Sequence, residues 1–291
     1  MHIELKNYLP LFKLRISLLI TFSAVVSLIS TSSGDISIKN ALLLIIVTMM
    51  ASAGASAFNH YFDMDIDSVM ERTRKRPIPS GIINDSKKTL FISVILFVTS
   101  ILLSFTAINY MVALHLFLGA VVYAVIYTVW LKRPTWLNII IGGSAGSFAV
   151  LAGGASATPE LCMPPLLLAT IMFFWTPSHF WSFAIVHRED YEKAGIPMLP
   201  VVIGNLRTTR YILLNTILLV ISSFLPSIFG YLGIFYTIVA VAVGVFFLTR
   251  NIQLLFETSK DMALKNFKAS MIYLGVLLSA VIVDVSISKL L

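Results

Sequence analysis

Long apolar runs alternate with short polar breaks along the whole chain. In "ALLLIIVTMMASAGASAF", the stretch before Asn59, there is no charge at all. About 20 apolar residues suffice for an α-helix to cross the hydrocarbon core of a bilayer. Runs of that kind fall at residues 14–33, 41–60, 89–107, 109–131, 137–157, 164–186, 211–229, 231–249 and 269–288. The pattern predicts an all-α, polytopic membrane protein with nine spanning helices. Two pairs of runs are divided only by "INY" and "PSIFGYLG", and both separators carry residues that cap or break helices. The stretch 250–268 is polar enough to read as a short surface helix.

Composition agrees with the pattern. Of 291 residues, 58% are hydrophobic and 12% charged, with mean hydropathy +0.91; a soluble domain carries roughly 25% charged residues. The net charge of +7 is an effect of topology. With the N-terminus inside, 19 of the 21 Lys and Arg fall in inner segments, and only Lys39 and Lys289 fall outside. Basic residues concentrate in cytoplasmic loops, so this partition places the N-terminus in the cytoplasm, the C-terminus outside, and gives no ground for nucleic-acid binding. The first run is too long for a signal-peptide core of about 7–15 residues and is read as a retained span. Cys162 is the single cysteine, which excludes an internal disulfide framework, CxxC and CxxCH motifs. One membrane domain over residues 1–291 is expected, with two long inner loops at about 61–88 and 187–210. These loops follow the second and sixth spans, which suggests two similar four-helix units.

The first long loop begins "NHYFDMDIDSVMERTRKRP", residues 59–77. Asn59, Asp63 and Asp67 are spaced i, i+4, i+8, so on a helix they share one face, drifting by about 40° per step. Asp65 points elsewhere. Two carboxylates and an amide oxygen suit a hard cation such as Mg²⁺, which takes oxygen ligands and shares its shell with substrate phosphates. An acid row at a helix end also arises with no metal, as a solvated helix terminus. The neighbouring Arg72, Arg74 and Arg76 shift the balance, because guanidinium forks match the oxygens of a diphosphate. The second loop, "REDYEKAGIPMLP", repeats the theme with Arg188, Glu189, Asp190, Tyr191 and Lys193, and would complete a diphosphate–metal cage if it faced the first.

His179, in "WTPSHFW", lies inside the sixth span. A polar residue there is costly and marks a functional position, although an interhelical hydrogen bond would also explain it. His115 reads as structural, and His60 and His187 sit at the interface. Trp175, Phe180 and Trp181 are accounted for by packing.

These stretches carry a resemblance. "NHYFDMDIDSVMERTRKRPIPSG" resembles the first aspartate-rich motif, NxxxDxxxD, of the UbiA-type intramembrane prenyltransferases. Its D-x-x-M-x-R-T-x-x-R-P-x-P-x-G portion is similar to the version in the protohaem farnesyltransferase branch, as are "YTVWLKRPTWLNIIIGGSAG", "WTPSHFW" and "REDYEKAGIPMLP". The matches run in order from residue 59 to 204. The resemblance implies a UbiA-type helical bundle in the cell membrane that joins farnesyl diphosphate, haem b and water into haem O and diphosphate. It implies Mg²⁺ at Asn59, Asp63 and Asp67, with Asp190 also catalytic, and a diphosphate held by Arg72, Arg74, Arg76, Arg188 and Lys193. It further implies that His179 holds the porphyrin, by iron ligation or through a propionate. A haem-processing or terminal-oxidase assembly protein is the expected partner. The chain departs from the branch after "GGSAG", where a Pro pair is usual, and at Ser178, where a second Pro is common. An aromatic or quinone precursor is the alternative acceptor. A transporter is the alternative of another class, but its polar groups would be expected near the midplane, whereas the charges here cluster at helix ends.

Overall fold

A computed structural model describes residues 5–32 and 36–290. Residue 33, where the first span was expected to end, lies outside the described residues, as do both extreme termini. The chain opens with a short α1 (Leu5–Tyr8) and a 3₁₀ turn (Leu9–Phe12). It turns at Lys13, whose φ of 42° makes it the one non-glycine residue with positive φ among the described residues.

The spanning helices follow in the expected order: α2 (Leu14–Thr31), α3 (Ile38–Phe62), α5 (Ser86–Ala107) and α6 (Tyr110–Val121). The last of these runs on as a π-helical stretch to Leu131. Then come α7 (Asn138–Ala157), α8 (Met163–Val186), the short α9 (Arg188–Lys193) and α10 (Leu199–Ile203), and the long α11 (Asn205–Ile228), α12 (Ile234–Phe256) and α13 (Lys260–Leu290). Among the described residues, eight of the long helices have the length and hydropathy to cross a membrane. The other, α8, is long enough at 24 residues but interrupts its apolar run with Thr176, Pro177, Ser178 and His179. Each spanning helix packs on the next, and α13 returns to α2, closing the bundle.

Lipid tails are as apolar as leucine, so helices in a bilayer are joined by close packing and interhelical hydrogen bonds rather than by the hydrophobic effect. The apolar, small-residue stretch of α3 serves the first purpose. A methyl group on Gly54 would lie 3.0 Å from the Ser93 carbonyl oxygen of α5. At the α2–α7 contact, one on Gly153 would lie 1.9 Å from the Ala24 carbonyl oxygen. Hydroxyls serve the second: Ser93 Oγ donates to the Gly54 carbonyl at 2.8 Å, and Ser100 Oγ to that of Val47 at 2.7 Å.

The stretch 250–268 is not a separate surface helix. Residues up to 256 extend α12 and residues from 260 begin α13, leaving only a three-residue link. Its polar side chains are the reason. Asn251 is buried, donating to the Phe247 carbonyl and accepting from Thr216, while buried Asn266 donates to Ser182 Oγ at 2.9 Å. Asn205–Arg210 likewise belongs to α11, six residues earlier than the apolar run begins.

Candidate active site

At the end of α3 the helix does not stop cleanly. Asp63 leaves the helical conformation at φ −90°, ψ 8°, and the chain continues as α4 (Met64–Val69). Backbone bonds from Asp63 N to the Asn59 carbonyl and from Asp67 N to the Asp63 carbonyl carry the i, i+4 register across the break. Asn59, Asp63 and Asp67 therefore share a face as expected, and all three are buried, at 4%, 1% and 2% exposure.

Three cations meet this face. Lys132 Nζ donates to Asp63 Oδ2 at 2.5 Å, and Arg76 to Asp67 Oδ2 at 2.6 Å. Lys13 is partly exposed as a residue but turns its ammonium inward, onto Asn59 Oδ1 at 3.0 Å and the Tyr123 hydroxyl at 3.3 Å. Burial, and then the neighbouring Arg76 and Lys132, bring Lys13 down to about 7. Arg72 covers the adjoining wall, its guanidinium 5.1 Å from the Phe183 ring centre. Asn59 Nδ2 donates to Asp63 Oδ2, which leaves Asp63 Oδ1 buried with no hydrogen-bond partner. An orphaned carboxylate oxygen beside an amide oxygen and a second carboxylate fits a hard divalent cation.

The π-helical stretch Val122–Leu131 positions the far wall. Lys132 N bonds to the Tyr127 carbonyl, five residues back, and this stretch presents Tyr123 to Lys13, Thr128 to Asn59 and Lys132 to Asp63. Such insertions recur at functional sites. The "GGSAG" stretch of α7 makes room for it: a methyl group on Gly142 would lie 2.6 Å from the Tyr127 ring, so only glycine fits.

The two long loops meet. Within 187–210, α9 (Arg188–Lys193) presents Asp190, whose Oδ1 accepts from Glu71 N at 3.2 Å and Oδ2 from Arg72 N at 3.4 Å. Asp190 thus latches one loop's backbone to the other. It does not join Asp63 and Asp67 as a third acid, and no group of three His, Cys, Asp or Glu able to hold an ion occurs among the described residues. Tyr191 packs beneath; burial pushes its phenol up, against the pull of Arg72 and Arg76. Arg188 turns inward, with its Nε buried and unpartnered. Arg74 is exposed and pairs with Glu71, and Lys193 is exposed at the end of α9, so the structure does not bring these two onto the acids. Asp65 points away as expected and takes the fork of Arg133 at 2.9 Å on each oxygen.

His179 sits between two flat rings, Trp175 at 4.2 Å and Phe267 at 4.4 Å. Its Nδ1 lies 2.7 Å from Ser270 Oγ. The single Ser270 hydroxyl proton goes to the Phe267 carbonyl at 2.6 Å, so Nδ1 carries the hydrogen and donates, and Nε2 keeps its lone pair. Phe183 touches Phe267 at 5.1 Å, so the rings form a continuous column from His179 up to Arg72. His115 is 7% exposed and lies against Phe148, away from this column.

Lys13, Lys132, Thr128 and Tyr123 were not singled out by the sequence. In the sequence the two lysines count only as topological charge. A lysine directly following an apolar span, inside a motif rich in aromatics, was the available signal for Lys132.

The model of the UbiA prenyltransferase family matches residues 18–275. Protoheme IX farnesyltransferase 1 of Paramagnetospirillum magneticum is 47% identical over 283 residues, covering 96% of this chain and 98% of that one. Among solved structures, one described as digeranylgeranylglyceryl phosphate synthase in membranes superposes with a TM-score of 0.80 at 24% identity, over 97% of this chain and 98% of its own. A UbiA homologue from Archaeoglobus fulgidus, bound to DMAPP and Mg²⁺, gives a TM-score of 0.65 at 16% identity, over 94% and 99%.

Proposed function

The chain belongs to the UbiA prenyltransferase family, and we propose that it transfers the farnesyl group of farnesyl diphosphate to a vinyl group of haem b, with addition of water, giving haem O and diphosphate. The observation that carries this reading is the buried face of Asn59, Asp63 and Asp67 ringed by Lys13, Arg76 and Lys132. The acceptor follows from the name borne by a relative 47% identical over nearly the whole chain.

Asn59, Asp63 and Asp67 would hold Mg²⁺, through the orphaned Asp63 Oδ1 among others. Bound there, the ion supplies charge neutralisation for the departing diphosphate. Arg76 and Lys132 now neutralise the two acids; with the acids engaged by a cation they turn to the diphosphate, joined by Lys13 and Arg72. The allylic C1–O bond breaks and its electron pair leaves with the diphosphate, whose charge these fixed cations stabilise. The terminal vinyl carbon bonds to C1, water captures the cation next to the ring, and the water's proton is released. The apolar bundle keeps water from the allylic cation until the carbon–carbon bond has formed. No protein nucleophile is needed. Arg188, buried beside the latch, would support the diphosphate, whereas exposed Arg74 and Lys193 would contribute only long-range charge.

His179 would orient the haem. Its Nδ1–H is committed to Ser270, which fixes the tautomer and leaves the Nε2 lone pair to face the iron rather than a propionate, which only accepts hydrogen bonds. The site side of the bundle would face the cytoplasm, a reading that the distribution of basic residues supports. A haem-processing or terminal-oxidase assembly protein would be the partner that delivers or receives haem.

Incubation of the purified protein with haem b, farnesyl diphosphate and Mg²⁺, followed by mass analysis of the pigments, tests the reading. A product heavier than haem b by one farnesyl group and one hydroxyl supports it. Unchanged haem b, with prenylation of an aromatic precursor when one is supplied in parallel, would move the chain to the quinone branch.

A further inference from the structure

On the outer flank of the bundle, the ends of α12 and α13 enclose a cleft of about 690 Å³. Its lower wall is apolar and open sideways: Phe256 is 85% exposed and Ile272 52%. Its rim is basic, formed by Arg250, Lys265 and Lys268 against one acid, Glu257. Two of the three rim bases have no ion pair among the described residues. Lys265 pairs with Asp261 at 2.6 Å, but among the described residues Arg250 contacts only neutral groups, donating to Gln253 at 3.0 Å and lying 5.6 Å from the Phe246 ring. Lys268 is exposed with no ion pair among the described residues.

Unneutralised bases above an apolar side wall, at the end of two spanning helices, match an amphiphile with an anionic head and hydrocarbon tails. Basic pockets between spanning helices on the cytoplasmic side hold the headgroups of anionic lipids. We infer that the α12–α13 cleft is a binding site for an anionic phospholipid, with Arg250 and Lys268 on the phosphate and Phe256 and Ile272 along an acyl chain. The site is separate from the acid cluster. It lies on the back of α13, whose opposite face supplies Phe267 and Ser270 to His179, so an occupied cleft would brace that helix.

Native mass spectrometry of the full chain in detergent, with phosphatidylglycerol and phosphatidylcholine added at equal concentration, tests this. The protein is expected to retain phosphatidylglycerol preferentially. Arg250→Gln should weaken that retention about fivefold, and the Arg250→Gln/Lys268→Gln pair about 30-fold. Lys39→Gln, which removes an exposed base at the far end of α3, should leave it unchanged. Both altered side chains are at the surface, and an unchanged helical circular dichroism spectrum confirms that the double variant is folded. Equal retention of the two lipids, or a preference that survives in the double variant, overturns the site. So does displacement of the lipid by equimolar inorganic phosphate, which would mark a plain anion site. A wild-type dimer that dissociates in the double variant also overturns it, making the occupant a second copy of the chain.

Discussion

Lys132 Nζ and Asp63 Oδ2, 69 positions apart in sequence, meet at 2.5 Å with both side chains almost wholly buried. A buried pair of this kind is costly to break from one side, because it strands the partner's charge. Lys132→Met should therefore lower stability by about 3–5 kcal/mol without Mg²⁺. Added Mg²⁺ should recover part of the loss by giving Asp63 a new partner. The double variant Asp63→Asn/Lys132→Met should regain stability yet stay inactive. Thermal unfolding in detergent with and without Mg²⁺ reads all three; a Lys132→Met protein as stable as wild type would remove the pair from the account.

Replacing Asp63 or Asp67 by Asn should cut turnover by about 10²–10³-fold while leaving the protein folded, and chelation by EDTA should do the same to the wild type. Full activity in EDTA would end the metal role.

Lys13 gives the site a pH signature. Held at about 7 rather than 10.5, it is charged below pH 7 and neutral above. The advantage of wild type over Lys13→Met in farnesyl diphosphate affinity should thus be large at pH 6 and shrink as pH rises through 7. An unfolded chain keeps this lysine charged up to about 10.5. Its contribution to stability therefore falls as pH drops from 10.5 towards 7, then levels off, a slope the variant should lack. An affinity ratio constant from pH 6 to 8 would show that Lys13 does not touch the diphosphate.

His179→Ala should lose haem binding or product formation while binding farnesyl diphosphate normally. Ser270→Ala should produce a milder version, because it frees the tautomer but keeps the ring between Trp175 and Phe267. His115→Ala, against Phe148, is the control. Unchanged haem spectra in all three would reduce His179 to a packing contact.

Cysteines placed at Ser80, in the first long loop, and at Asn205, at the start of α11, should react with impermeant reagents only from the cytoplasmic face. Reaction of either from outside would invert the topology.

The spans were legible because a bilayer demands about 20 apolar residues whatever the fold, and the acid row was legible because its period is that of one helix. Helix ends were not: α11 and α13 begin before their apolar runs, with polar residues buried by partners such as Ser182 for Asn266, which local pattern cannot see. Lys13 and Lys132 were hidden for a related reason. A lysine at a span end satisfies the charge rule equally well in water or turned inward onto an acid. Asp190 was legible as an acid but not as a latch, since its partners are backbone amides.

That choice of partner leaves the enzyme adaptable. Asp190 grips the amide nitrogens of Glu71 and Arg72 and is indifferent to the side chains they carry. Only proline, which has no N–H to offer, would undo the grip. Position 71 can therefore be rewritten, by drift or by engineering, without loosening the joint between the two loops, whereas position 72 is held to arginine by its side chain and not by the latch.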